Sequence, residues 1–213
     1  MYRLFAALDI PEEVGDALLE ISQKVTGASW RPIENYHITL RFFGELDGSA
    51  ARDLDDELGA ISASQMQLRL KGAGWFGSSE PYSLWAGVER NDALNSLASK
   101  CERAARRIGL PKEKRPFRPH VTLAYCHGTP LHEAAVFAQK HSLFDSGLFW
   151  VDRFHLYSSW SGKGPLEKCT LKRPNNTDSA RPVQRRWTRW FPYSQNWLKM
   201  MLVGSWSSAL QAS

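Results

Sequence analysis

Residues 34–45 read ENYHITLRFFGE and residues 119–126 read PHVTLAYC. Each contains H-x-T-L, as His37-Ile38-Thr39-Leu40 and as His120-Val121-Thr122-Leu123. On a β-strand the side chains at i and i+2 share a face. Each motif therefore presents an imidazole beside a hydroxyl and turns aliphatic residues the other way. A single strand of this kind reads as a core histidine beside a threonine chosen for β propensity. Two copies 83 residues apart read differently, as polar pairs facing each other across a cleft. Histidine titrates near neutrality, so two facing imidazoles can divide acid and base duties. Threonine hydroxyls beside them can donate to the non-bridging oxygens of a phosphate, where negative charge grows during reaction. Together these groups make a metal-free plan for opening a phosphodiester, and a strained 2′,3′-cyclic phosphate is the easiest diester to open.

The elements that must position these residues repeat as well. YRLFAALDI (2–10) has strand character and ends at Pro11, a good helix start. PEEVGDALLEISQKV places Val14, Leu18, Ile21 and Val25 at helical spacing. The first motif strand follows, then a helix carrying Leu54, Leu58 and Ile61, then an alternating strand at 66–72. After a glycine-rich connector, GAGWFGSSEP (72–81), the order returns. A strand at 82–89 precedes a helix with Leu94, Leu97, Cys101, Ala104 and Ile108 on one face. The second motif strand comes next, then a helix with Thr129 as its expected N-cap and Pro130 in its first turn, and a last strand at 149–159. The expected fold is α+β: a duplicated β-α-β-α-β unit forming two pseudo-symmetric lobes whose sheets line a central cleft. The lobes are placed at roughly 1–72 and 82–171, partly exchanging strands.

Composition narrows the remaining classes. With 213 residues, 43% hydrophobic, the chain is long enough to bury a sizeable core. No run of about 18 apolar residues is present to span a membrane, and the acidic cluster at Glu12 leaves no room for a signal peptide. Three scattered cysteines, Cys101, Cys126 and Cys169, fit reduced thiols and a cytoplasmic protein. The net charge of +5 is unevenly placed: residues 172–213 hold seven basic residues and one acid, while the other 171 hold 20 basic and 21 acidic. The body is nearly neutral, so an RNA-related function has to rest on particular residues and not on bulk charge.

Competing chemistries lack their residues. Neither motif histidine has carboxylates or cysteines at metal-ligand spacing, and threonine is a poor zinc ligand; no metal and no cofactor is expected. Cys126 and His127 are adjacent, which on a strand sends them to opposite faces. There is no G-x-S-x-G and no G-x-x-x-x-G-K-[ST], and SGKGP (161–165) only superficially resembles a phosphate loop. His132 and His141 are expected to be solvated, His127 to lie in a turn and His155 to serve the sheet.

Paired H-x-T-L motifs on a duplicated α+β unit resemble the two-histidine (2H) phosphoesterase superfamily. RLFAALDIP, HITLRFFGEL and FRPHVTLA together resemble its bacterial and archaeal branch, the RNA 2′,3′-cyclic phosphodiesterases once called 2′-5′ RNA ligases. The likeness runs from Tyr2 to about Leu171, roughly four fifths of the chain. It implies that His37 is the general acid on the O3′ leaving group, that His120 is the base for water, and that Thr39 and Thr122 hold the phosphate. The implied product is a 2′-phosphate. ATP-independent 2′-5′ end joining by the same pair, or a non-catalytic module that binds cyclic-phosphate RNA ends, stand as alternatives. The substrate partners implied are RNA 3′ ends or small cyclic nucleotides, with the chain a monomer.

Two departures stand out. Many members of that branch continue the second motif as T-L-A-R, with the arginine near the phosphate; here it reads TLAYC, with Tyr125. Tyr125 can donate a hydrogen bond or stack on a base but carries no charge. Arg118, two residues before His120, and Arg41, on the face of His37 and Thr39 by strict alternation, are the expected substitutes. The second departure is the basic tail at 172–213, which holds four of the nine tryptophans. Its basic and tryptophan residues could contact single-stranded RNA or a surface, and low order is expected from roughly Pro174.

Overall fold

The computed structural model describes residues 2–159 and 167–169; the expectations for the tail at 172–213 lie outside them. In chain order the elements are β1 (Tyr2–Asp9), α1 (Glu12–Glu20), β2 (Ala28–Trp30), a 3-10 turn (Ile33–Asn35), β3 (His37–Leu46) and α2 (Gly48–Gly59). Then come β4 (Met66–Phe76), β5 (Ser83–Val88), α3 (Asp92–Arg107), β6 (His120–Cys126), α4 (Leu131–Lys140), β7 (Asp145–Val151), β8 (His155–Ser159) and β9 (Glu167–Cys169). The fold is α+β, with helices packed against an antiparallel sheet. Among the described residues no helix is long and apolar enough to cross a membrane.

The strands run in the order β7-β4-β5-β6-β3-β1-β8-β9, with β2 added to β6. Most neighbours in the sheet are not consecutive in the chain. β4, which follows α2, pairs with β7 as well as β5, and β8, near the end of the described chain, pairs with β1. The expected single strand at 149–159 is therefore two strands. The chain leaves β7 after Val151 and re-enters as β8 at His155, because its two halves belong to different sides of the sheet. The glycine-rich connector also differs from expectation, since β4 continues through Gly72 and Gly74 to Phe76. Gly74 lies opposite Trp85 of β5, and its missing side chain leaves room for the indole to lie on the strand.

Burial follows the helical and strand periods. On α3, Leu94, Leu97, Ala98, Cys101, Ala104 and Ala105 are buried, the i, i+3, i+4, i+7 stripe of a helix lying on a sheet. Asn91 caps that helix by accepting from Leu94 N–H at 2.9 Å, and Asp47 caps α2 by accepting from Ser49 and Ala50 N–H, each at 2.9 Å. Thr129 does not cap α4. Pro130 holds that position, and the Thr129 hydroxyl donates instead to the Thr26 carbonyl at 2.7 Å, tying the turn before α4 to the one before β2. Cys101 and Cys126 are buried.

Adding a Cβ to Gly74 would bring it within 2.4 Å of the Trp85 ring, whereas a Cβ on Gly59 would meet nothing within 4 Å. Gly74→Ala is expected to destabilise the fold by about 1–3 kcal/mol through overpacking. Gly59→Ala, at the end of α2, is expected to be neutral or slightly stabilising. Urea denaturation of the two variants beside wild type checks both signs.

Candidate active site

The two halves of the sheet meet where β3 touches β6, through one antiparallel pair, Ile38 with Val121. These are the middle residues of the two H-x-T-L motifs. Both are fully buried on the helix side, so the residues flanking each of them project from the opposite face. Antiparallel register about this pair sets His37 toward Thr122 and Thr39 toward His120. All four are half-buried. Among the described residues neither threonine hydroxyl has a hydrogen-bond partner, which leaves both available to a ligand.

The two histidines are held in the same way. His37 Nδ1–H donates to the Asn35 carbonyl at 2.8 Å, and His120 Nδ1–H to the Arg118 carbonyl at 2.6 Å. In each case the acceptor lies two residues upstream, and a carbonyl there requires the proton on Nδ1. Nε2 is thereby left as the exchangeable site. Each ring also rests on aromatic neighbours. Phe5 and Tyr157 lie 5.0 and 6.0 Å from His37, and Phe76 meets His120 edge-on at 4.8 Å, with Trp85 at 6.5 Å. This apolar bedding disfavours charge. Burial lowers the pKa of His37 to about 4, with the Asn35 carbonyl opposing and the charges of His120 and Arg31 adding to the depression. Burial lowers His120 too, against the pull of the Arg118 carbonyl. The two rings are close enough that a proton on His120 disfavours one on His37.

Behind His37 lies a polar cluster that linear sequence does not reveal. Asp9, at the end of β1, is the cross-strand partner of His37 and favours its charged form. The Tyr157 hydroxyl donates to Asp9 Oδ1, and His155 Nε2 lies 3.1 Å from Asp9 Oδ2. Burial and the carboxylate together raise the pKa of Tyr157, keeping it a protonated donor. His155 is buried, as its strand position implied. His141, expected in solvent, packs instead on Phe137 with its ring centroid 5.0 Å away and its Nε2 buried.

Of the remaining candidates, Arg41 is a correction. The pairing of β1 with β3 steps from Ala7–Thr39 to Ala6–Arg41, so Leu40 is the extra residue of a β-bulge. Alternation is broken there, and Arg41 turns to the helix side. It pairs with Glu102 of α3 at 2.6 Å and Glu113 at 3.6 Å, its side chain only 10% exposed. Phe42 takes its place on the face of His37, against Phe5 at 5.4 Å. β6 carries the same device. Its pairing with β5 steps from Thr122–Trp85 to Ala124–Leu84, making Leu123 the extra residue and bringing Tyr125 to the face of Thr122. Tyr125 is 48% exposed. Arg118 is exposed with no side-chain partner among the described residues, and what it gives His120 is its carbonyl. Arg31, which sequence reasoning passed over, stands with its guanidinium carbon 5.4 Å from the centre of the Tyr125 ring.

This arrangement has counterparts. The model of the 2′-5′ RNA ligase superfamily matches residues 23–162, a stretch that includes both motifs. The chain belongs to this superfamily. Within it, the RNA 2′,3′-cyclic phosphodiesterase of Escherichia coli is 30% identical over 179 residues, covering 80% of this chain and 94% of that protein. The Geobacillus stearothermophilus protein of the same name is 32% identical over 127 residues, which are 56% of this chain but only 40% of the relative's length. The crystal structure of E. coli LigT complexed with 3′-AMP superposes with a TM-score of 0.65 at 26% identity, covering 83% of this chain and 99% of that one. Among the described residues of this superfamily member, no three of histidine, cysteine, aspartate and glutamate gather in a metal-ligating group.

The depressed pKa of His37 has a consequence for stability. Unfolded, the imidazole titrates near 6.5; folded, near 4. Between those values the unfolded chain binds more protons, so stability is full above about 6.5 and falls as pH drops toward 4. The depression corresponds to roughly 3 kcal/mol at most. His37→Gln is expected to flatten this part of the pH–stability curve, with His120 leaving a slope of the same sign. Urea midpoints at pH 7 and pH 4.5 measure it, and equal slopes in variant and wild type would contradict the burial account.

Proposed function

We propose that this chain is a phosphodiesterase that opens 2′,3′-cyclic phosphates on RNA 3′ ends or small nucleotides, giving 2′-phosphates without a metal ion. The observation that carries this reading is the matched pair of imidazoles. Each is pinned through Nδ1 to a carbonyl two residues upstream, leaving Nε2 as the exchangeable site, and each stands beside a threonine hydroxyl that has no partner among the described residues. Relatives named RNA 2′,3′-cyclic phosphodiesterase along nearly their whole length support the substrate class.

In this mechanism His120 Nε2 takes a proton from water as the water oxygen bonds to phosphorus. The P–O3′ bond breaks, and His37, protonated on Nε2, delivers its proton to O3′. Thr39 and Thr122 donate to the non-bridging oxygens, whose charge grows in the transition state. Burial keeps both imidazoles neutral in the free cleft, and the negative phosphate offsets the cost of charging one. Repulsion between the rings holds them to a single proton, as the mechanism requires. A 5′-hydroxyl in place of water would give 2′-5′ joining with the same acid and base. The activity is assigned to residues 1–171, leaving the basic stretch 172–213 outside it, and to the cytoplasm, since three scattered cysteines without CxxC spacing suit a reducing compartment.

The test is 31P NMR of a 2′,3′-cyclic nucleotide incubated with the protein and EDTA. Wild type is expected to give the 2′-phosphate, and His37→Ala and His120→Ala to lose about 10²-fold or more in rate. A 3′-phosphate would reverse the leaving group, inhibition by EDTA would remove the metal-free mechanism, and tight binding without turnover would favour the end-binding module. Since both histidines are depressed below 6.5 in the free protein, kcat/KM is expected to follow a bell with both limbs below about 6.5. Bound phosphate favours the imidazolium, so the alkaline limb of kcat should lie higher. A pH–rate series from 4 to 9 reads both.

A further inference from the structure

Arg31 follows β2, and its N–H donates to the Leu123 carbonyl at 2.8 Å, extending the pairing of β2 with β6 past Trp30. Ser29 lies opposite Tyr125, so alternation from Ser29 places the side chain of residue 31 on the face that carries Tyr125 and Thr122. The guanidinium sits over the Tyr125 ring at 5.4 Å, within the range of a cation–π contact. Its charge disfavours a proton on His37, in the other motif. Arg31 is half-buried, and among the described residues its side chain has no carboxylate partner. Arg41, by contrast, is committed to Glu102 and Glu113. A partly desolvated guanidinium without a counterion, next to two unpartnered hydroxyls and two neutral imidazoles, forms a site short of one negative charge.

We propose that Arg31 binds the phosphate of the substrate, and that Tyr125 is a positioning residue whose ring face holds the guanidinium over the cleft. This rests on the hydrolase reading above. It gives the cleft the cation that Tyr125 lacks, delivered from a different strand, and it assigns Arg118 no part in phosphate binding. It also links binding to protonation. Arg31 opposes a proton on His37 while Asp9 favours one. A phosphate that pairs with Arg31 cancels the opposing charge and leaves Asp9 to hold the proton where the leaving oxygen needs it.

The experiment combines steady-state hydrolysis of a 2′,3′-cyclic nucleotide with calorimetric binding of the corresponding nucleoside 2′-phosphate. Arg31→Gln is expected to raise KM about 10- to 100-fold, as for loss of a charge-assisted hydrogen bond, to lower kcat by less, and to weaken the salt dependence of binding. Arg31→Lys should recover part of the affinity. Tyr125→Leu should raise KM several-fold and Tyr125→Phe by less, because the ring face and not the hydroxyl does the positioning. In the double variant Arg31→Gln/Tyr125→Arg, a guanidinium grown from the platform itself should restore much of the lost affinity, which a merely misfolded variant could not show. Wild-type KM and salt dependence in Arg31→Gln, or a double variant no better than Arg31→Gln, would overturn the proposal. If wild type binds the 2′-phosphate without hydrolysing the cyclic one, the hydrolase reading fails. Arg31 is then judged by calorimetry alone, where unchanged affinity in Arg31→Gln overturns it and a 10-fold loss upholds it.

Discussion

The structure turns on a single strand pair. Ile38 and Val121 are the one register match between β3 and β6, and through it two halves of a sheet, each with its own helices, become one surface. A longer ladder would flatten the junction and press the motif side chains into ordinary cross-strand packing. One pair lets the strands diverge on either side. The two imidazoles and two hydroxyls then share one half-buried face while their aliphatic neighbours seal the core beneath.

The matching bulges extend the same logic. In both motifs the leucine after the threonine is the extra residue, so that three positions in each, Ile38, Leu40 and Arg41 in one and Val121, Leu123 and Ala124 in the other, face the helices. The next residue then returns to the cleft face. That residue is an aromatic in both halves, Phe42 and Tyr125. Phe42 completes the bed under Phe5 and His37, while Tyr125 supports Arg31. The same backbone device thus serves packing in one half and charge placement in the other.

Pinning the rings also sets their electrostatics. Aromatic surfaces under both histidines fix their orientation at the cost of desolvation, which disfavours their charged forms. The cluster of Asp9, Tyr157 and His155 breaks the symmetry between the motifs. It lies behind His37 because β1 adjoins β3 and β8 adjoins β1, and among the described residues no such carboxylate acts on His120 in the same way.

The α+β class, the repeated order of strands and helices, and the placing of His37, Thr39, His120 and Thr122 on strand faces were legible in the sequence, because period-2 and period-3.6 patterns and a motif repeated in matching positions are local properties. The split of residues 149–159 into β7 and β8 was not legible. Asp152 alone is a weak breaker in a run otherwise rich in strand formers, and the break follows from which sheet edge each end pairs with. Arg41 misled because alternation assumes an unbroken ladder, and a bulge is created by the partner strand's register. Asp9 and Arg31 carry no signal beside the motifs, being 28 and 6 residues before His37 in the chain. Their nearness to that ring comes from strand pairing across the sheet, and only the tertiary structure decides such pairing, because register depends on how the whole apolar face closes over one core.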